Sequence, residues 1–178
     1  SMEVIQHMSR TIDDFRNYFR PDKEKAEFNV HDAIVNALSL LEGTLQNPRI
    51  DITIVVKDDS VIYGYQNEFS QVLLNILMNA RDALLERNVA DPRVSITICC
   101  EDGRSVVTIA DSAGGIPEDI IDKVFDPYFT TKGPQQGTGV GLFMSKTIIE
   151  KNMGGRLSVR NRASGAEFRI EVGNENTI

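Results

Sequence analysis

The sequence predicts an α+β domain in which a mixed sheet is covered by helices on one face. Helical and strand-like periodicities alternate irregularly along the chain, and several predicted strands are joined by tight turns into hairpins. At 178 residues the chain is long enough for one domain with its own core and a short appendage. This mixture of elements is typical of a two-layer arrangement.

Residues 3 to 19 are predicted to form a helix, which Pro21 ends. Its apolar stripe consists of Met8, Ile12, Phe15 and Phe19. Little sequence follows nearby to bury this stripe, so we expect it to pack on a partner helix, as in a homodimer. The alternative is a terminal helix folded onto its own domain.

Two helices and two strands are predicted between residues 28 and 87. Asn29 is a candidate N-cap for a helix through Leu45, and Asn67 for a helix to about Arg87. The strands lie between the helices, at Ile50–Val56 and Val61–Tyr65. The core face of the second helix is expected to contain Phe69, Val72, Leu73, Ile76, Leu77, Ala80 and Leu84.

Two hairpins, separated by loops and helices, are predicted in the second half of the chain. The first hairpin turns at Asp102-Gly103 and the last at Ser164-Gly165. The predicted segments are the strands Val94–Cys100, Ser105–Ala110, Arg156–Asn161 and Ala166–Val172, a short helix at Glu118–Val124, and a helix from Gly141 to about Asn152.

Charge and composition restrict the partners. A formal net charge of −7 argues against a nucleic-acid partner bound by phosphate neutralisation. It does not exclude a nucleotide, because charges more than about 8 Å apart are largely screened at physiological salt. Cys99 and Cys100 are adjacent in a strand, which makes a disulfide between them unfavourable and favours a reducing, cytoplasmic compartment.

No apolar run is long enough to cross a membrane. Ser1-Met2 resembles the remnant of a tag, so we expect the chain to be a fragment of a longer protein, which leaves membrane attachment of the parent open.

The segment from Phe125 to Leu142 predicts a hinged lid over a nucleoside triphosphate. It runs from an aromatic cluster through Lys132 to glycines at alternate positions, Gly137, Gly139 and Gly141, and a helix follows. Free N–H groups at a glycine-rich helix start form an anion site. Such loops also occur without a phosphate, and this one matches neither the P-loop nor the protein-kinase pattern.

Asn75 and Asn79 stand one turn apart on the rim of a predicted helix. Asparagine is unfavourable in a helix interior, so two of them indicate a shared polar role, such as supplying a neutral oxygen to Mg²⁺. Solvent-facing side chains or local caps are the alternative.

Asp111 follows a predicted buried strand and precedes a glycine turn. Asp111 either only stabilises the turn that follows it, or it is a buried carboxylate that accepts a hydrogen bond from the exocyclic amine of adenine.

Four spaced motifs together resemble the ATP-binding domain of bacterial sensor histidine kinases, within the GHKL ATPase superfamily. They are Asn75-xxx-Asn79-Ala80, Asp111-xxx-Gly115, the run from Phe125 to Lys132, and Gly137-Thr138-Gly139-x-Gly141-Leu142. They are similar to that family's asparagine, first glycine, phenylalanine and second glycine boxes. The resemblance covers roughly residues 28 to 172 and implies the Bergerat two-layer α/β sandwich, with a mostly antiparallel sheet.

The resemblance also implies roles for individual residues. Asn79 would ligate Mg²⁺ and Asn75 would lie near the phosphates. Asp111 would bind the adenine amine, and Gly115 would let the base pack on the backbone. The phosphates of ATP would be held by Lys132, Thr138, Gly139, Gly141 and Leu142.

By the same resemblance, residues 1–22 are the end of a dimerising helical hairpin and residues 23–178 the ATP-binding catalytic domain. The phosphoacceptor would be a histidine outside this fragment, because the surroundings of His7 lack the acidic residue and the proline of the family's motif. The phosphate would pass to the receiver domain of a response regulator. Two other possibilities remain: another GHKL enzyme, such as an anti-sigma serine kinase, and a nucleotide-sensing module without transfer chemistry.

Overall fold

Residues 24–46, 49–129 and 140–173 are described by a computed structural model. The strands in these residues are β1 (Ala26–Asn29), β2 (Asp51–Val56), β3 (Val61–Gly64), β4 (Arg93–Glu101), β5 (Arg104–Asp111), β6 (Arg156–Arg162) and β7 (Gly165–Gly173). The α-helices are α1 (Val30–Leu40), α2 (Glu42–Leu45), α3 (Gln66–Glu86) and α4 (Gly141–Thr147).

A five-stranded sheet with the order β2-β4-β5-β7-β6 forms one layer. The β2–β4 pair is parallel, and the β4–β5, β5–β7 and β6–β7 pairs are antiparallel. Parallel neighbours need a crossover, and the chain between β2 and β4 makes it through α3. The mixed, mostly antiparallel α+β fold predicted from the sequence is confirmed.

The two faces of the sheet differ because side chains alternate along each strand. Ile96, Ile109 and Phe168 lie side by side on β4, β5 and β7 and are buried in the core. The neighbouring row, Thr97, Thr108 and Arg169, is partly exposed on the opposite face. The helices therefore cover one face.

Helix α3 supplies the centre of the core opposite the sheet. Every residue predicted for its inner face is buried: Phe69, Val72, Leu73, Ile76, Leu77, Ala80 and Leu84. The predicted N-cap was wrong by two residues. Asn67 lies inside the helix, and Tyr65 holds the cap position without a side-chain hydrogen bond.

At the other predicted cap, the side chain of Asn29 accepts a 2.8 Å hydrogen bond from the backbone N–H of Asp32, as expected. The helix it starts is shorter than predicted, because it ends at Leu40 and a separate short helix begins at Glu42.

Strand β1 was not predicted. It pairs antiparallel with β3 in a separate two-stranded sheet, so β3 does not join the main sheet.

The remaining elements are close to those predicted. The first hairpin turns at Asp102 and Gly103, whose φ values are 51° and 75°. The predicted helix at Glu118–Val124 is one 3₁₀ turn at Ile121–Lys123. The last helix begins at Gly141 as expected, but its final turn, Ile148–Asn152, is a π-helix. The last hairpin turns one residue early, and Ala163 has a φ of 49°.

The predicted helix at residues 3 to 19 lies outside the described residues, so the division at residue 22 stays a prediction. In the described part of the chain, no helix is long and apolar enough to cross a membrane.

Candidate functional site

Asp111 lies at the end of β5, where the strand leaves the sheet. Its Oδ1 accepts hydrogen bonds from the backbone N–H groups of Ala113 (3.0 Å) and Ala166 (3.3 Å). Burial raises the pKa of the Asp111 carboxyl above its usual value, while these two bonds and the charge of Arg87 oppose the rise. Within the described residues, Oδ2 accepts no hydrogen bond, so one oxygen is held and the other can accept.

Gly165 makes this arrangement possible from the neighbouring strand. A Cβ at Gly165 would overlap the carbonyl oxygen of Asp111 and lie 2.6 Å from its Oδ1. Carbon and oxygen atoms do not pack that closely. The first residue of β7 therefore has to lack a side chain for the backbone N–H of Ala166 to reach the carboxylate.

The loop after Asp111 turns through two glycines in the left-handed region. Gly114 and Gly115 have φ values of 95° and 89°, which other residues adopt only at a cost. A Cβ at Gly115 would also lie 2.8 Å from Oδ1 of Asn161. The positive φ thus favours glycine at 115, and the amide of Asn161 leaves little room for a side chain there.

Two residues that the sequence analysis missed hold this loop. Nη1 of Arg87 donates to the carbonyl oxygens of Ala113 (2.6 Å) and Gly115 (2.8 Å). Nδ2 of Asn161 donates to the carbonyl oxygen of Ile116 (2.6 Å), and Oδ1 accepts from its N–H (2.7 Å). No local pattern points to either residue, because their partners lie 26 to 45 residues away in the sequence.

Asn75 joins α3 to the start of α4. Its Nδ2 donates to the carbonyl oxygen of Gly141 (3.2 Å) and to Oγ of Ser145 (3.0 Å). Ser145 is fully buried, and its hydroxyl donates to Gly141 at 2.8 Å. The fold thus brings together two predicted site residues that are 66 positions apart, Asn75 and Gly141. Ser145 completes the cluster and was missed.

A family model for the histidine kinase-, DNA gyrase B- and HSP90-like ATPases matches residues 64–176, a span that contains Asp111, Asn75 and the start of α4. The chain belongs to this ATPase family. ATP is accordingly the nucleotide that its site is built to use.

Bacterial sensor and sporulation kinases are among the relatives of this ATPase domain. The two-component sensor PprA of Pseudomonas aeruginosa is 35% identical over 153 residues, which are 84% of this chain and 16% of PprA. Sporulation kinase A of Bacillus subtilis is 34% identical over 148 residues, 82% of this chain and 23% of that kinase. The chain spans between 16% and 33% of the length of such relatives.

Solved structures show the same fold for histidine kinase catalytic domains. The catalytic domain of histidine kinase ThkA is 31% identical with a TM-score of 0.75, covering 85% of this chain and 96% of that domain. ThkA in complex with response regulator protein TrrA matches with a TM-score of 0.73 and 24% identity, covering 97% of this chain and 49% of that chain.

The ATPase domain has no acidic metal cluster in its described residues, where no three His, Cys, Asp or Glu side chains could hold an ion together. Asn79 is half-buried on α3, one turn after Asn75. Its amide oxygen is a hard, neutral ligand, and Mg²⁺ prefers one or two such protein ligands with waters and phosphates. The donor set therefore fits a metal that arrives with a nucleotide.

Other predicted residues of the ATPase site are placed only in part. Leu142 packs against the core beside Gly141. Phe125, at the start of the predicted lid, contacts Phe168 edge to face at 6.1 Å, and Nζ of Lys146 lies 4.7 Å from the centre of its ring. Lys132, Thr138 and Gly139 lie outside the described residues, so their roles stay predictions.

Proposed function

We propose that this chain is the ATP-binding catalytic domain of a two-component sensor histidine kinase. It transfers the γ-phosphoryl group of ATP to a histidine outside this fragment, and the phosphate is then relayed to an aspartate of a response regulator. The names of its relatives and the match to the ThkA catalytic domain support this activity. The relatives are much longer than this chain, so the transfer belongs to the whole protein.

The observation that carries the nucleotide part of the proposal is the arrangement of Asp111. Its Oδ1 is held by two backbone donors, and Oδ2, which accepts no hydrogen bond from residues 24–46, 49–129 and 140–173, accepts one from the exocyclic amine of adenine. An ionised carboxylate accepts and does not donate, so the carbonyl oxygen of guanine finds no partner there. A missing partner costs about 1–3 kcal/mol, enough to select one base. Gly115 lets the base approach the backbone.

The phosphates extend from this base end towards the start of α4. Asn75 lies beside them, and the backbone N–H groups at Gly139, Gly141 and Leu142 hold them together with Thr138 and Lys132. The contact of Asn75 with Gly141 supports this placement because it fixes the start of α4 against α3. Phosphoryl transfer depends mainly on such positioning and on charge stabilisation.

The amide oxygen of Asn79 holds Mg²⁺, which enters with ATP. When bound, the metal neutralises phosphate charge that the protein alone leaves uncompensated. One neutral amide is enough protein ligand for Mg²⁺, which keeps waters and takes phosphate oxygens for its other positions.

Outside the catalytic domain, residues 1–22 are the end of the helical hairpin that dimerises the kinase and carries its phosphoacceptor histidine. The complex of ThkA with TrrA supports a response regulator receiver domain as the second partner. Cys99 and Cys100 are neighbours in β4, where successive side chains point to opposite faces, and a strand of this kind fits a cytoplasmic, reducing compartment for this domain.

The test of the ATP site is a calorimetric titration of the chain with ATP, with and without Mg²⁺. Wild-type protein is expected to bind ATP more tightly than GTP, and Asp111→Asn to remove that preference. Asn79→Ala is expected to remove the dependence on Mg²⁺, whereas Asn67→Ala on the same helix keeps it. If wild-type protein gives neither heat nor a thermal shift with ATP and Mg²⁺, the proposal fails.

The type of phosphoacceptor is tested on the full-length protein with radiolabelled ATP. Transfer to histidine gives a label that is lost in acid and kept in base. An acid-stable label on a partner serine would favour the serine-kinase alternative. ATP binding with no labelled protein would favour a nucleotide-sensing module.

A further inference from the structure

The loop from Ser112 to Ile116 forms the base end of the proposed ATP site and holds its shape through contacts from outside. Its two glycines, Gly114 and Gly115, have no side chains to anchor them, and glycine has more backbone conformational freedom than any other residue type. Such a segment presents a fixed surface to a ligand only if other elements hold its backbone.

Arg87 holds the first half of this loop from the end of α3. Nη1 donates to the carbonyl oxygens of Ala113 and Gly115, on either side of the left-handed Gly114. The N–H of Ala113 in turn donates to Oδ1 of Asp111. The carbonyl oxygen of Ala113 is therefore hydrogen-bonded to Arg87, and its N–H is hydrogen-bonded to Asp111. If the loop shifts, this N–H moves away from the carboxylate.

Asn161 holds the second half from β6. Its amide pairs with both the N–H and the carbonyl of Ile116, as a neighbouring strand would. It also occupies the space next to Gly115 that a Cβ there would need. The loop is thus fixed on two sides by residues of different elements.

We propose that Arg87 and Asn161 are positioning residues that hold the backbone from Ala113 to Ile116 in its adenine-binding shape and so determine the affinity for ATP. This inference rests on the proposed ATP site. The positive charge of Arg87 adds to the effect, because it lowers the pKa of Asp111 against the rise caused by burial and so favours the ionised carboxylate.

The test is the dissociation constant for ATP with Mg²⁺, measured by calorimetry for Arg87→Met and Arg87→Lys. Arg87→Met keeps the length and apolar stem of the side chain and removes its donors, and we expect ATP affinity to fall about tenfold. Arg87→Lys keeps a charged group with several donors on a shorter side chain and should recover part of that loss. Asn161→Ala, which acts on the other half of the loop, is expected to weaken binding about fivefold.

The control is Arg81→Met on the same helix. Nε of Arg81 donates to the carbonyl oxygen of Thr44, away from the loop. This variant loses the same chemical group and should keep the affinity of wild type within about twofold. Arg87 and Asn161 are both exposed at the surface, so their variants are expected to fold, which melting temperatures without nucleotide will check.

Hydrogen exchange separates positioning from a general loss of stability. The amides of residues 113 to 116 are expected to exchange faster in Arg87→Met than in wild type, while the amides of β4 and β5 keep their protection. The inference is overturned if Arg87→Met binds ATP like wild type, if Arg81→Met loses as much affinity, or if protection falls equally throughout the domain. Failure of wild-type protein to bind ATP would instead overturn the proposed function.

Discussion

Replacement of Gly165 by alanine is the sharpest test of how the fold builds the end of the site. The new Cβ would overlap the carbonyl oxygen of Asp111 and lie 2.6 Å from its Oδ1, where contacts of about 3.5 Å are normal. Because one contact is with backbone, β7 or the end of β5 has to shift, and such overpacking costs about 1–3 kcal/mol. The shift also breaks the 3.3 Å bond from Ala166 to Asp111, worth about 1 kcal/mol more.

The expected loss is therefore about 2–4 kcal/mol in the free energy of unfolding. In urea the midpoint should fall by about 1–2 M, for a slope of about 2 kcal/mol/M. ATP affinity should fall as well, because the carboxylate is displaced. Gly43→Ala is the matched control, since a Cβ at Gly43 has nothing within 4 Å. It should be neutral or stabilise by up to about 1 kcal/mol. Equal urea midpoints for Gly165→Ala and wild type would refute the close approach of β7 to Asp111.

Three further predictions concern the carboxyl of Asp111, the hydroxyl of Ser145 and the contact of Lys146 with Phe125. Burial raises the pKa of Asp111 in the folded state. At pH values between its pKa in the unfolded state and its pKa in the folded state, the folded protein therefore binds more protons than the unfolded chain. The free energy of unfolding should fall as the pH rises through this window. The stability of Asp111→Asn relative to wild type, measured by urea unfolding without nucleotide, should therefore grow with pH across the window and then level off; a flat difference contradicts this. Ser145→Ala removes a buried hydroxyl that is hydrogen-bonded to Asn75 and Gly141, so the free energy of unfolding in the same assay should fall by about 1–2 kcal/mol. An unchanged value would show that these hydrogen bonds contribute nothing to stability. Lys146→Met removes the cation above the ring of Phe125 and should cost about 0.5–1 kcal/mol, whereas a gain in stability would exclude a favourable contact.

Elements whose signal is local could be predicted from the sequence. The core face of α3 follows from its helical period, the cap at Asn29 from side-chain chemistry, and the first hairpin from Asp102-Gly103, which adopts the positive φ values of a tight turn. In each case the residues that decide the structure are a few positions apart. The family motifs add the positions of the site without requiring knowledge of its contacts.

Features that depend on distant partners could not be predicted. Strand β1 has four residues and exists because β3 pairs with it. Asn67 is a good capping residue, yet the helix begins before it, because tertiary packing overrides a weak local preference. The hydrogen bonds of Arg87 and Asn161 to the loop at residues 113 to 116 could not be predicted for the same reason. Each side chain bonds a backbone group that is distant in the sequence and that only the fold brings close.

The π-helical turn at Ile148–Asn152 accommodates one extra residue at the end of the helix that begins at Gly141. A π-turn accommodates one more residue than an α-helical turn over the same rise, and each residue of an α-helix rotates the chain by about 100°. Deletion of a single residue from this turn would let the whole helix become α-helical while its end remained fixed at Gly154. Gly141 and Ser145 would then keep their orientation towards Asn75, because the deleted residue is the extra one that the π-turn accommodates. The irregular last turn thus takes up one residue of chain length while the start of the helix stays fixed against Asn75.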